Sequence, residues 1–151
     1  MDAFTRKHRH MVESWEQLFA AANAAHRRHK ELWNKHFPRM GFPYKDSSAY
    51  NDQLAVFWST FWRVEVRVRP VIRDLKLGHH EQVPAALAYL AVPRRHFRSG
   101  YNKEQILQAL KHIALRPEEQ LLIREIWQDV EPVLSTREKR KFRQLLAALP
   151  K

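Results

Sequence analysis

The stretch from Asn51 to Lys76 constrains the fold of this chain more than any other. Large apolar side chains recur in it at alternating intervals of three and four residues, at Leu54, Phe57, Phe61, Val64, Val68, Val71 and Leu75. This spacing places them along one face of an α-helix. Trp58 and Ile72 widen the face. The stretch therefore predicts a central helix whose broad apolar surface must be covered by other elements.

Part of the same stretch also has the pattern of a β-strand. Charged residues alternate with valines from Arg63 to Arg69, and valine favours strands. However, the helical period leads into this segment from Leu54 without an intervening turn residue. Pro70 would kink a helix or restrict a strand to a sheet edge. We predict a helix kinked at Pro70, with an extended segment over 64–68 as the alternative.

Two further segments in the first two thirds of the chain predict helices. Apolar residues follow the helical period from Phe4 to Phe37, after which Pro38 should end the helix. The segment Val83–Ala91 is apolar on most sides, so it predicts a short buried helix. Gly78 is well placed to stop the central helix before it. The residues between 37 and 48 predict an apolar connector, with Ser47 or Ser48 as the cap of the central helix.

Three shorter helices are predicted in the last third. Asn102 should cap the first, and Pro117 should open the second. Ser135 and Glu138 have the spacing of a capping box for the third. The predicted fold is an all-α helical bundle with two long antiparallel helices and about four shorter ones. We expect a single helical domain over 1–151, with two lobes, 1–92 and 93–151, as the alternative.

The charge of the chain indicates a polyanionic partner. Its 151 residues include 27 Lys and Arg against 16 Asp and Glu, which gives a net charge of +11. Such a balance is typical of proteins that bind nucleic acid or another anionic surface, although it also serves solubility alone. No apolar run is long enough to span a bilayer, and the N-terminus lacks the apolar core of a signal peptide. We expect no membrane association and a cytoplasmic location.

Signals for catalysis or cofactor binding are sparse. The chain has no cysteine, no phosphate-binding loop, no nucleophile elbow and no dinucleotide fingerprint. Of nine histidines, only His26 and His29 have a spacing that places them on the same face of a helix, and no third ligand follows at a matching distance. We expect neither a metal nor another cofactor.

Basic residues and interspersed aromatic residues form the predicted nucleic-acid site. Arginine supplies bidentate phosphate contacts, and aromatic rings can stack on unpaired bases. The central helix should present an arginine surface, the segment Pro93–Tyr101 should form a basic loop ending in a flexible Ser99-Gly100 pair, and the last helix should add a third cluster. The predicted binding residues are Arg63, Arg67, Arg69, Arg73, Arg94, Arg95, Phe97, Arg98, Tyr101, Arg137, Lys139, Arg140, Lys141 and Arg143.

One short segment is an alternative catalytic site. Arg73 and Asp74, followed after four residues by His79, resemble the Arg-polar-x(4)-His signature of HEPN ribonucleases. That resemblance implies a dimeric helical bundle in which the arginine and histidine converge, and the histidine assists attack of the ribose 2′-hydroxyl. It would make the chain a metal-independent ribonuclease with Arg73, Asp74 and His79 as catalytic residues.

The size, charge and helix content are also similar to those of two groups of accessory proteins. These are the small helical subunits of CRISPR effector complexes and the basic bundle partners of reverse transcriptases. The likeness implies a non-catalytic, sequence-nonspecific accessory subunit of a larger nucleoprotein complex, binding RNA or single-stranded DNA. This is our main functional hypothesis. The alternatives are the ribonuclease and an adaptor or inhibitor that binds an acidic protein.

A separate segment predicts a protein contact. Residues 117–131 carry five carboxylates and a single cation, Arg124. In a basic chain, such a helix should face a basic neighbour, which would orient the protein in its complex. We predict that this acidic helix binds a protein partner or a second copy of the chain.

Overall fold

The computed structural model describes residues 2–40, 48–93 and 99–150, with side chains outside 36–40 and 48–50. Within these ranges the chain forms six α-helices and two short 3₁₀ helices, and no strand. The helices are α1 (Ala3–Met40), α2 (Ser48–Lys76), α3 (Val83–Ala91), α4 (Ser99–Leu110), α5 (Pro117–Val130) and α6 (Thr136–Ala148). The prediction of an all-α bundle with two long and four shorter helices is confirmed.

The long helices α1 and α2 are antiparallel neighbours. The Arg67 guanidinium lies 5.0 Å from the Trp15 ring and donates a hydrogen bond of 2.9 Å to Ser14 Oγ. Further along, the His29 ring stacks on Phe57 with 5.5 Å between centroids. Later residues of α1 thus meet earlier residues of α2. This is the antiparallel arrangement that the sequence predicts.

The central helix is helical throughout, including the segment with the strand pattern. Val64 and Val68 are fully buried, whereas Val66 between them is 66% exposed. A strand would place all three valines on one face, but a helix turns the middle one away. The extended alternative for 64–68 is therefore wrong. The helix continues through Pro70 to Lys76.

Gly78 ends this helix as predicted. Its φ of +84° is in the left-handed region, which a residue without Cβ adopts readily. The Gly78 N–H donates to the Leu75 carbonyl, and the His79 N–H donates to the Asp74 carbonyl, each over 2.9 Å. These two bonds form a Schellman motif that satisfies carbonyls at the helix end.

The core is centred on α3, which contacts α1, α2, α4 and α5. Tyr89 of α3 is fully buried, and its ring meets those of Trp15 and Phe19 edge-on, each at 5.1 Å between centroids. Such edge-to-face pairs add to the stabilisation from burial. The predicted short buried helix is confirmed with the same bounds, Val83–Ala91.

The helix starts are correct in two cases and wrong in one. Pro117 opens α5, and the Glu138 N–H donates to Ser135 Oγ at 3.2 Å in the predicted capping box of α6. Asn102, however, does not cap α4. The helix already begins at Ser99, which is 1% exposed, so the predicted flexible end of the preceding loop is also wrong. Asn102 is instead buried, and its amide donates hydrogen bonds to Glu65 and Tyr89.

The boundary between the two long helices differs from the prediction at the end of α1. The first helix continues to Met40 beyond its predicted end at Pro38. A proline this close to a C-terminus removes one backbone bond without preventing the last turn. The predicted connector falls largely on 41–47, which lies outside the described residues. The side chains of Ser47 and Ser48, the two predicted caps, are likewise not described.

None of the described helices combines the length and hydrophobicity needed to span a membrane.

Three half-buried histidines should make the fold sensitive to acid. Burial is the main cause that lowers the pKa of His8, His26 and His29 below the ordinary value of 6.5. As pH falls through that value, the unfolded chain therefore binds protons before the folded chain does, and stability falls. We expect a lower melting temperature at about pH 5 than at about pH 8. Replacing His26 and His29 by Gln should reduce the difference; an unchanged difference would contradict this assignment.

Candidate nucleic-acid interface

The cations of α2 lie on two separate flanks of the helix. Each residue turns an α-helix by about 100°, so Arg69 lies about 160° from Arg67. Arg67 faces α1 through Ser14 and Trp15. Arg69 and Arg73 lie on the other flank, where Lys76 hydrogen-bonds Gln105 of α4. The single arginine surface predicted for this helix is thus divided in two by the geometry of the helix.

The flank that faces α4 borders an open groove of about 810 Å³. Three of its side chains are large exposed aromatic groups, with Trp58 at 41%, Trp62 at 43% and Tyr101 at 66% exposure. Three others are exposed cations. The groove is lined by Trp58, Phe61, Trp62, Glu65, Arg69, Ile72, Arg73, Lys76, Leu77, Tyr101, Asn102 and Gln105. We call it the α2–α4 groove.

The two tryptophans of the groove are held by the buried Phe61. Its ring is 5.6 Å from Trp58 and 5.5 Å from Trp62, edge-on in both cases. The indoles are one helical turn apart because their positions differ by four residues. The Arg69 guanidinium covers part of the Trp62 ring at 4.6 Å. This cation–π contact brings a positive charge next to an exposed aromatic surface.

A buried polar network forms the floor of the α2–α4 groove. The Asn102 amide donates hydrogen bonds to Glu65 Oε1 at 2.9 Å and to the Tyr89 hydroxyl oxygen at 3.2 Å. Arg69 Nε lies 3.5 Å from the other Glu65 oxygen. Burial raises the pKa of the Tyr89 hydroxyl far above its ordinary value, so it remains neutral. The network joins α2, α3 and α4 and fixes the spacing of the two walls.

The cations of the groove retain hydrogen-bonding capacity toward a ligand. Arg73 Nε contacts Asp74 Oδ1 at 3.0 Å, yet its side chain is 68% exposed. Arg69 is 61% exposed beside Glu65. A guanidinium has five N–H donors, so one carboxylate contact leaves others for phosphate. In both pairs the guanidinium is the exposed partner, whereas the carboxylates of Glu65 and Asp74 are largely buried, at 8% and 19% exposure.

The other predicted binding residues are not brought into this groove. Arg94, Arg95, Phe97 and Arg98 lie outside the described residues. Arg63 is exposed on the far flank of α2. The cations of α6, namely Arg137, Lys139, Arg140, Lys141 and Arg143, are absent from the described lining of the groove.

The α6 cations do not form one patch. Arg137 pairs with Glu104 of α4 at 2.8 Å, whereas Arg143 lies 5.7 Å from the Trp127 ring of α5. The cluster is therefore spread around the exposed side of α6, from the α4 contact to the α5 contact. It offers dispersed positive charge rather than a shaped site.

The residues of the ribonuclease alternative lie at the C-terminal end of α2. Asp74 accepts hydrogen bonds from Arg73 and, at 3.0 Å, from Gln82 Nε2. The Arg73 bond is the main cause that lowers the pKa of Asp74, followed by the Gln82 bond. His79 Nδ1 lies 3.8 Å from Glu81 Oε1 in the following turn. Arg73 lines the α2–α4 groove, but the described lining does not include His79.

Sequence reasoning missed several residues of the groove. Trp58 had been placed in the core, and Trp62 and Lys76 were not assigned to a binding site. A signal was present, since Trp58, Trp62, Arg69 and Arg73 are spaced by four, seven and four residues along one side of a helix. Gln105 and Asn102 could not be found this way, because they come from α4.

Among the described residues, no group of three or more histidine or carboxylate side chains could hold a metal ion. Comparisons with known proteins give no relative: no protein-family model, no curated protein and no solved structure matches this chain. The function must therefore be argued from the geometry alone.

Proposed function

We propose that this protein binds single-stranded RNA or DNA in the α2–α4 groove, as a sequence-nonspecific accessory subunit of a larger nucleoprotein complex. One observation carries the proposal: three exposed aromatic side chains and three exposed cations line the same groove of a chain with a net charge of +11. Each group matches one part of a nucleic-acid strand. The chain would act by binding and not as an enzyme, and a cytoplasmic location stays a prediction.

The aromatic residues suit unpaired bases. Stacking of a base on an aromatic side chain contributes about 1–3 kcal/mol, and every base has a face that can stack. In a duplex those faces are covered by neighbouring base pairs, so reaching one requires unstacking. Trp58, Trp62 and Tyr101 therefore favour a single strand over a duplex.

The cations suit the phosphate backbone. Arg69, Arg73 and Lys76 extend along the same wall of the groove as the tryptophans. Phosphate contacts release counterions and position the strand, but they carry no sequence information. Stacking is likewise tolerant of sequence. The combination supports binding with little preference among sequences.

The salt dependence of binding tests this proposal. Replacing Arg69, Arg73 and Lys76 together by Ala should reduce the slope of log affinity against log salt by about 0.7 for each lost contact to a single strand. Fluorescence anisotropy with a labelled single-stranded oligonucleotide would measure it. A matched variant with Arg28, Arg63 and Arg140 replaced by Ala loses the same charge outside the groove and should keep most of the slope.

The same assay distinguishes the alternative functions. If the control variant loses as much affinity as the groove variant, binding depends on net charge and the groove assignment is wrong. Metal-independent RNA cleavage that is lost in both Arg73→Ala and His79→Ala would replace the proposal with the ribonuclease. Absence of oligonucleotide binding at low salt would favour an acidic protein partner instead.

Within such a complex, the acidic segment 117–131 would contact a basic protein neighbour. On α5, the exposed carboxylates are those of Glu118, Glu125 and Asp129. Glu119 is buried, and its Oε1 lies 2.8 Å from His80 Nε2 and accepts a 2.8 Å hydrogen bond from the Arg116 N–H. Three of the carboxylates are thus accessible, which supports a partner surface on this helix.

A further inference from the structure

A second groove, of about 420 Å³, lies between the N-terminal end of α1 and α5. Its exposed apolar side chains are Phe4, at 36% exposure, and Leu121, at 59%. Around them are four carboxylates, those of Asp2, Glu118, Glu125 and Asp129. We call it the α1–α5 groove. It combines exposed apolar surface with negative charge, which is the reverse of the balance in the whole chain.

The α1–α5 groove lacks an internal counter-charge in the part of the chain that is described. Its lining contains no Lys or Arg, and its one histidine, His8, is half-buried. Burial lowers the pKa of His8 despite the opposing effect of Glu125, so this ring is mainly neutral at neutral pH. Charge complementarity therefore calls for a basic occupant with apolar anchors.

One exposed surface of this same chain has that composition. Trp62, Val66, Arg69 and Arg73 are spaced by four, three and four residues, which places them within about 60° of one another around α2. Trp62 and Val66 are 43% and 66% exposed, and both arginine side chains are more than half exposed. We call these four residues the α2 stripe. Docking of a helix in a groove through anchors spaced by three and four residues is a recurring mode of recognition.

We infer that the α1–α5 groove binds the α2 stripe of a second copy of this chain. Trp62 and Val66 would pack on Phe4 and Leu121, while the arginines would pair with the carboxylates around the groove. Because the contact joins two different surfaces, it either forms twice in a closed dimer or extends head-to-tail to further copies. In the protein free of nucleic acid, the basic neighbour of α5 would thus be the chain itself.

If the proposed function holds, self-association and nucleic-acid binding use the same side chains. Trp62, Arg69 and Arg73 belong to both the α2 stripe and the α2–α4 groove. A copy whose stripe is bound by a neighbour cannot use the same side chains for a nucleic-acid strand. Self-association and oligonucleotide binding should therefore exclude each other, and a saturating single strand should dissociate the assemblies by mass action.

Complementation between two variants tests the inference. The groove variant carries Glu125→Lys and Asp129→Lys, and the stripe variant carries Arg69→Glu and Arg73→Glu. Each alone should lose at least about tenfold in self-association at low salt, since like charges would then face each other. Mixed together, they should associate again, because the first variant retains an intact stripe and the second an intact groove. Analytical ultracentrifugation of the wild type, of each variant alone and of the mixture measures these associations.

A control matched to the groove variant carries Glu13→Lys and Glu81→Lys. These changes alter the net charge by the same amount as the groove variant does, but at exposed positions outside the α1–α5 groove. It should self-associate like the wild type. A wild type that stays monomeric at low salt would overturn the inference, and so would variants that associate undiminished or fail to complement. The two proposals can also fail separately. If the wild type self-associates and both variants lose that association, but the protein does not bind oligonucleotides, the inference holds and the proposed function is wrong.

Discussion

Replacing Trp58 and Trp62 together by Ala is expected to weaken binding of a single-stranded oligonucleotide by about 2–6 kcal/mol, because each indole offers one stacking surface worth about 1–3 kcal/mol. Binding of a duplex of the same length should change little, since its bases are already stacked. The fold should tolerate the change better than a core substitution, as both side chains are about two-fifths exposed.

Conservative replacements make this prediction specific to stacking. Phe at both positions retains an aromatic face and should restore most of the affinity for the single strand, whereas Leu retains only apolar bulk and should not. Titrations of both ligands should be accompanied by thermal unfolding of each variant. An equal loss for single strand and duplex, or full rescue by Leu, would contradict a stacking role.

The second large effect is expected in the core. Phe19 is fully buried, and its ring contacts Trp15 and Tyr89 edge-on at 6.4 and 5.1 Å. Phe19→Ala should lower the free energy of unfolding by about 3–5 kcal/mol, through lost burial and the cavity left behind. This is a large share of the roughly 5–15 kcal/mol by which a domain is stable. Urea denaturation measures the loss.

An exposed position provides the comparison. Leu121 is 59% exposed, so Leu121→Ala should change the free energy of unfolding by no more than about 0.5 kcal/mol. If Phe19→Ala proved as mild as Leu121→Ala, the packing of α1 and α3 around Tyr89 would be wrong. The α2–α4 groove would then lose its support as well, since Tyr89 holds Asn102 at its floor.

The helices of this fold could be predicted because their signals are local. Helical spacing defined α2 in spite of its alternating valines, and the cap residues Gly78 and Ser135 marked ends that the structure confirms. Asn102 was misassigned because its buried partners, Glu65 and Tyr89, come from other helices. A local capping preference contributes about 1 kcal/mol, which tertiary contacts readily outweigh.

The α2–α4 groove could be predicted only in part. Arg69, Arg73 and Tyr101 were expected to bind nucleic acid, but the sequence placed Tyr101 in a loop and treated the arginines of α2 as one surface. Helical period gives the direction of each side chain around its own axis. It does not show which neighbour covers that side, so the exposure of Trp58 and the contribution of α4 required the packed structure.

Mapping of photo-crosslinks tests the central claim most directly. A uridine or thymidine oligonucleotide would be irradiated in complex with the wild-type protein, and the attached peptides would be identified by mass spectrometry. Binding in the α2–α4 groove predicts adducts on Trp58, Trp62 and Tyr101. Adducts confined to the cations of α6 or to the segment 93–98, with none in the groove, would contradict it.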